Sequence, residues 1–354
     1  MSDDLFSRYP QLRGEPFATA MMARLLHIKG EHADALRLGL AAVEMAPGDA
    51  QVHDLVCAAL SKGVPAWHGP MLHDAPRNAS YARGIAAAVK PGMTVLEIGT
   101  GAGLVAMLCA RAGAQVVTCE ANPMVAATAV EVIARNGLSD RIRVVPKRSS
   151  ELRIGEDLAA PADLLISELF DDMLYGDNIV SFIADARKRL LKPDARVLPP
   201  RSALRLALVS HRPGRGSEPL GTVEGFDLSP LNLLAPQPAR RTRLIPGRAE
   251  RRSGAVSALA VDFDAPAPFG PDRETVTLRS TGGRVDAVAQ WIRYDFAPDI
   301  VFENDPFSGE WSHWGAPVFP LPEAIETAPG DLIALDVRRI ENIVLIKAAR
   351  AEGA

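Results

Sequence analysis

The sequence predicts a parallel α/β sheet covered by helices, followed by an all-β domain and preceded by a short helical segment. Three observations carry this. From Tyr81 to about residue 198, apolar runs of strand length alternate with amphipathic stretches of helical length, the pattern of a parallel sheet. Beyond Pro200 the chain turns to short β-branched or alternating segments separated by Pro and Gly, which suits a barrel or sandwich. Ahead of both, residues 17–29 and 32–45 read as two helices around Gly30.

In chain order, the first pair of helices puts Ala18, Ala35, Ala42 and Pro47 at the small-residue and terminal-proline positions of one tetratricopeptide-like hairpin, with a third helix over 50–61. An ordinary helical extension fits the same residues. One such unit cannot bury its own face, so it is expected to pack on the next domain, a second copy or a partner. Lys62 to Pro65 and the polar residues after them read as a linker. The sheet strands are expected at 94–98, 115–120, 142–146 and 162–166, with helices near 79–89, 102–112, 122–136 and 178–191. Lys192-Pro193-Asp194 and Pro199-Pro200 mark the sheet's end. The all-β segments are 203–210, 256–263, 285–295 and 331–348, and 228–255 is an aperiodic excursion whose arginines (Arg240, Arg241, Arg243, Arg248, Arg251, Arg252) read as a solvated face. The domains are therefore placed at 1–66, 67–198 and 199–354.

A net charge of −4 argues against a general nucleic-acid binder or a polybasic membrane anchor. The acidic start lacks an apolar leader and no apolar run is long enough to span a membrane, so the protein is expected in the cytoplasm. Cys57, Cys109 and Cys119 are widely spaced on apolar segments without metal-ligand spacing, and read as reduced core residues.

Two motifs carry chemistry. Val95 to Leu104 contains Gly99, Gly101 and Gly103 between the first strand and its helix, and the second strand runs into Glu120, whose carboxylate suits the hydroxyls of a ribose. NAD would use nearly the same geometry. Glu97 ahead of the glycines suits a ligand bearing an ammonium, and the third glycine of the dinucleotide fingerprint is missing, which favours S-adenosylmethionine. The second motif is Ser167-Glu168-Leu169-Phe170-Asp171-Asp172-Met173-Leu174-Tyr175-Gly176-Asp177, acids hung on the end of a buried strand where α/β sheets bind ligands.

Met71-Leu72-His73-Asp74-Ala75-Pro76-Arg77-Asn78, the glycine turn, Ser150-Glu151, the acidic stretch, Gly225-Phe226-Asp227 and Trp311-Ser312-His313-Trp314 with Val318-Phe319 follow one another on this domain plan. From about Met71 onward the chain resembles the protein arginine N-methyltransferases. The resemblance implies a Rossmann-like S-adenosylmethionine-binding sheet followed by a β-barrel. It implies Arg77 at the cofactor's methionine carboxylate, Glu120 at its ribose with Ala121 also in the cofactor set, and Ser150 and Glu151 at its adenine; Met71 lies either against the cofactor or in the core. The acceptor arginine would lie between Glu168 and Asp177, with Asp171 and Trp314 lining its pocket and His313 paired to Asp74. The Met-Leu-His-Asp and Ser-Glu-Leu-Phe-Asp runs look most like the monomethylating type III branch, and the helical start is similar to a branch with tetratricopeptide repeats. Family members pair head to tail through an arm on the barrel, for which 228–255 is the candidate, so a homodimer is expected. Asp177 stands where the family has glutamate and Ser312 where it has threonine, and of the aromatic cluster before the family's first helix only Trp67 remains.

A guanidinium is protonated in water and a poor nucleophile. Two carboxylates that grip it draw positive charge to the gripped nitrogens and leave the third to attack, with Glu168 as the bidentate partner. Asp171 and Asp172 either narrow that pocket or cap the loop as Asx turns. The acceptor is arginine in a protein or the free amino acid. Two other readings remain: a methyltransferase for a lysine or small-molecule amine, and a non-catalytic scaffold of the same fold.

Overall fold

A computed structural model of the protein describes residues 6–175, 178–212, 220–234, 244 and 247–351. The chain runs through α1 (Pro16–Ile28), α2 (His32–Met45), α3 (Ala50–Leu60), α4 (His68–His73), α5 (Ala75–Ala88), β1 (Thr94–Ile98), α6 (Leu104–Arg111), β2 (Gln115–Cys119), α7 (Pro123–Arg135), β3 (Ile142–Val145), β4 (Ala162–Ser167), α8 (Ile179–Arg189) and β5 (Leu191–Leu198). It continues through β6 (Arg201–His211), β7 (Thr222–Val223), β8 (Phe226–Asp227), β9 (Ala249–Arg251), β10 (Val256–Asp262), β11 (Arg273–Ala297), β12 (Ile300–Glu303), β13 (Val318–Ile340) and β14 (Ile343–Arg350). Contacts divide it into two units: Met1–Pro70, Ala88–Ser167 and Lys188–Ala195, and then Met71–Ala87, Glu168–Arg187 and Arg196–Ala354.

The first unit holds the sheet of order β3-β2-β1-β4-β5, with β1 parallel to both β2 and β4. Val95, Leu96, Leu165 and Ile166 are buried at its centre, as expected of strands covered on both faces. The residues after β1 and β2 thus leave the sheet at one edge. The sheet does not end at Lys192: the stretch forms β5 at the sheet margin, where a ladder tolerates Pro193. The helical hairpin packs within this unit, with Leu12, Ala23, Leu26, Ala35 and Leu38 clustering around Met124 of α7. Its register differs from the expectation. Ala18 is exposed, and α1 buries Thr19, Ala20, Ala23 and Leu26 instead. Cys109 and Cys119 are buried, but Cys57 is exposed on α3 beside His53, because it falls outside the face formed by Val52, Val56 and Ala59.

The second unit holds an antiparallel sheet of order β10-β6-β11-β13-β14, with β12 on β11 and β9 on β6. The 331–348 segment is two strands, the end of β13 and β14, turning at Glu341 with φ 54°. Gly225-Phe226-Asp227 does not join this sheet. Glu224 and Gly225, with φ 49° and 87°, turn β7 back onto β8 as a separate hairpin, because two positive φ values make a tight turn that pairs only its own flanks. Of the excursion's arginines, Arg251 pairs with Asp305 and Arg252 with Glu250, whereas Arg240, Arg241 and Arg243 lie outside the described residues. Helix α5 seats closely on β11: a Cβ added at Gly84 would come within 2.5 Å of the Phe296 ring, which also packs on Tyr81 at 4.8 Å. That seat fixes the start of α5, where Asp74 and Arg77 lie.

Candidate active site

In the first unit the glycine turn adopts the backbone only glycine enters cheaply, with φ of 90°, 52° and 83° at Gly99, Gly101 and Gly103. Glu120, just past β2, is held against this turn: its carboxylate accepts from Gly101 N at 3.1 Å and from Asn122 N at 2.9 Å. Each carboxylate oxygen has a second lone pair, so the group remains able to accept two hydroxyls. Glu97 is buried at 2 % exposure. Ala121 is exposed next to Glu120. Ser150 and Glu151 lie on a short 3-10 turn, where the Glu151 carboxylate caps Arg148 N at 2.9 Å. That bond takes one acceptor position of Glu151.

The residue that sequence reasoning missed is His68 on α4. Its ring lies 3.9 Å from where a Gly101 Cβ would stand and stacks on Trp67 with centroids 4.1 Å apart. Burial lowers its pKa from the usual value, with the Glu120 charge opposing, so the ring is neutral at pH 7. A half-buried imidazole over a glycine turn has ligand reach. The signal in the sequence was the Trp-His pair just before Met71, where a linker had been expected.

In the second unit a buried polar cluster gathers residues from three distant stretches. Arg77 and Glu168, with side chains 3 % and 8 % exposed, form a bidentate pair, Nη2 to Oε2 at 2.5 Å and Nε to Oε1 at 3.2 Å. Burial pulls the Arg77 guanidinium down, but Glu168 overrides it and holds the group above its ordinary value. Burial pushes the Glu168 carboxyl up, with Arg77 opposing. The result is a carboxylate more basic than usual, which suits a group meant to draw charge from a guanidinium. Arg77 also donates to Asn78 Oδ1 at 2.7 Å and stacks over Tyr81 and Trp314 at 5.3 and 6.0 Å.

Asp74 sits between α4 and α5 and is completely buried. It caps α5 by accepting from Arg77 N at 3.1 Å, and its other oxygen accepts from Ser312 Oγ at 2.8 Å and His313 N at 3.1 Å, with His313 Nδ1 at 2.9 Å. Burial pulls its pKa up, but the bonds from His313 and Ser312 and from the backbone amides hold it below the usual value. The expected Asp74–His313 pair is therefore formed, and Ser312 fills the place given to threonine with the same hydroxyl. Trp314 donates from Nε1 to Phe170 O at 3.1 Å, and Gln290 of β11 donates to Asp172 O at 3.0 Å. Asp171 accepts from Met173 N at 3.0 Å, the Asx turn weighed above. Met71 is buried. Asp177 lies outside the described residues.

No protein-family model matches the chain. It is 36% identical over 277 residues to an arginine N(omega)-methyltransferase of Streptomyces achromogenes subsp. streptozoticus, covering 77% of this chain and 76% of that protein. It is 30% identical to protein arginine N-methyltransferase 7 of Danio rerio and of Mus musculus, over 313 and 305 residues. Those alignments cover 76% and 75% of this chain but only 44% of either relative. Among solved structures, the Trypanosoma brucei PRMT1 enzyme-prozyme heterotetrameric complex with AdoHcy matches with TM-score 0.70 at 19% identity, covering 83% of this chain and 96% of that one. Arabidopsis thaliana protein arginine methyltransferase 10 matches with TM-score 0.66 at 19% identity, with the same coverages. At that identity these structures speak for the fold.

Proposed function

This chain belongs to the arginine N-methyltransferase family, and on that premise we propose that it moves one methyl group from S-adenosylmethionine to an ω-nitrogen of arginine. The observation that carries the proposal is Glu168: a buried carboxylate already gripping a guanidinium edge-on, in a cluster that stacks the same guanidinium on Tyr81 and Trp314. Arg77 here stands in for the chemistry of the acceptor. It shows that a planar cation with paired N–H groups fits, which favours arginine over a lysine or simple amine.

The cofactor, when bound, supplies an electrophilic methyl on a sulfonium. Gly99, Gly101 and Gly103 would let the backbone approach it, Glu120 would accept from its ribose, His68 would lie against it over the turn, and Ser150 and Glu151 are the proposed adenine contacts. Glu97 and Met71 complete that set, with Arg77 proposed for the methionine carboxylate. A role for Arg77 there requires it to release Glu168, which then takes the acceptor guanidinium with Asp177 as the proposed second acid. Asp171, bent into its own turn, and Trp314 wall the acceptor. Asp74 holds His313 by Nδ1 and backbone, and the pair is proposed to take up the released proton.

We further propose the three-part division 1–66, 67–198 and 199–354, with a tetratricopeptide-like first part, a cytoplasmic location, and a homodimer. Among the described residues no helix is long and apolar enough to cross a membrane. The pairing surface is proposed on the excursion, where Leu231, Leu233 and Leu234 are exposed at 49, 89 and 80 %, with Phe226 just ahead of it at 71 %, an apolar run too large for plain solvent. The similarity to relatives named for arginine and for protein arginine leaves two acceptor forms. Incubation with methyl-labelled cofactor, offering free arginine and an Arg-Gly-rich peptide side by side, tests the reading by the mass added to each.

A further inference from the structure

One buried titratable group in the acceptor cluster has no task in the reading above. Tyr294 of β11 is fully buried, and its hydroxyl has no hydrogen-bond partner among the described residues. Leaving a buried hydroxyl unpaired is costly, and phenylalanine would pack the same ring without that cost. The ring itself is well packed, 4.6 Å from Phe170, 5.7 Å from Phe302 and 5.7 Å edge-on from Trp314.

Position explains what the hydroxyl is near. Gln290 and Tyr294 share a face of β11, since alternate strand residues do. Gln290 holds the carbonyl of Asp172, and Tyr294 lies under Phe170, so this strand face underlies the acidic loop that begins at Glu168. Burial first, then Tyr81 and Glu168, with Arg77 opposing, raise the phenol well above its ordinary pKa. It is neutral and keeps its lone pairs.

A guanidinium carries five N–H groups, and a bidentate carboxylate takes two. Resting on the arginine-methylating reading, we propose that the Tyr294 hydroxyl is a contact for the acceptor guanidinium, accepting an N–H that Glu168 leaves over. Arg77 does not use this oxygen: its guanidinium bonds go to Glu168 and Asn78. The contact would be made by the acceptor alone.

The test is Tyr294→Phe in the full chain, with three readouts. The KM for free L-arginine or an Arg-Gly-rich peptide, whichever the wild type methylates, should rise about tenfold, equivalent to about 1.4 kcal/mol, with kcat little changed. The Kd for S-adenosylmethionine by calorimetry should stay within twofold, and Tm should hold or rise. A KM within twofold of wild type overturns the proposal, as does a fall in Tm of more than about 3 °C, which would assign the hydroxyl to the fold. A wild type that methylates neither acceptor sinks the arginine reading instead. The Tyr294 proposal is then decided by calorimetric binding of L-arginine and of the peptide, which must weaken about tenfold in the variant or the proposal fails.

Discussion

Glu168→Gln separates chemistry from cofactor binding and also has a stability cost that can be worked out. The substitution keeps the side chain's shape and one acceptor but removes the charge that neutralises Arg77, whose side chain is 3 % exposed. Breaking a buried ion pair from one side costs about 3–5 kcal/mol, because the remaining charge stays out of water. At about 2 °C per kcal/mol for a large chain, Tm should fall by roughly 6–10 °C. Turnover should fall by roughly 10²–10³-fold, the usual scale for deleting one electrostatic partner of a transition state. The calorimetric Kd for S-adenosylmethionine should hold or tighten, because Arg77 no longer has to release Glu168 to reach the cofactor. Arg77→Met combined with Glu168→Gln should recover most of the lost stability, since the unpaired charge is then gone. A single variant that loses less than about 1 kcal/mol would show that the pair is not buried as described, and loss of cofactor affinity would move Glu168 out of the acceptor site.

Asp74 has a pKa held below its ordinary 3.8, so it stabilises the folded chain above that pH, and the contribution is lost as pH falls through the lower folded value. Urea unfolding should therefore show a shallower acid limb between about pH 5 and pH 2 for Asp74→Asn than for the wild type; parallel limbs would contradict the bonding at Asp74. His68→Ala should weaken S-adenosylmethionine about five- to tenfold, a loss near 1 kcal/mol, and leave the arginine KM alone; an unchanged Kd removes His68 from the cofactor site. Leu233→Glu should convert a dimer to a monomer by light scattering at micromolar concentration, and a wild type that is itself monomeric would end the homodimer proposal.

The elements with one strong period were legible. The strands of the parallel sheet and the helices around Gly30 lie within a residue or two of where periodicity put them, because apolar alternation reports burial directly. β5 was hidden by Pro193, which ends a central strand but not an edge one. Helix α4 was hidden by its shortness, and with it His68, whose significance comes from Gly101 folding under it. Glu168 was legible as an acid at a strand end. Its occupancy by Arg77 was not, since the two are 91 positions apart. Tyr294 shows the same limit: in sequence it is one aromatic among several on a core strand, and only the lack of a partner among the described residues marks it.

The glycine turn, the buried carboxylate and the family membership all converge on one reaction, and mass spectrometry after incubation with methyl-labelled S-adenosylmethionine tests it most directly. A single labelled methyl is expected on an ω-nitrogen of free L-arginine or of an arginine in an Arg-Gly-rich peptide, strongly reduced with Glu168→Gln. Two methyls on one arginine would contradict the monomethylating proposal. Label on lysine, or on neither acceptor, would contradict the assignment of Glu168 as the guanidinium's partner.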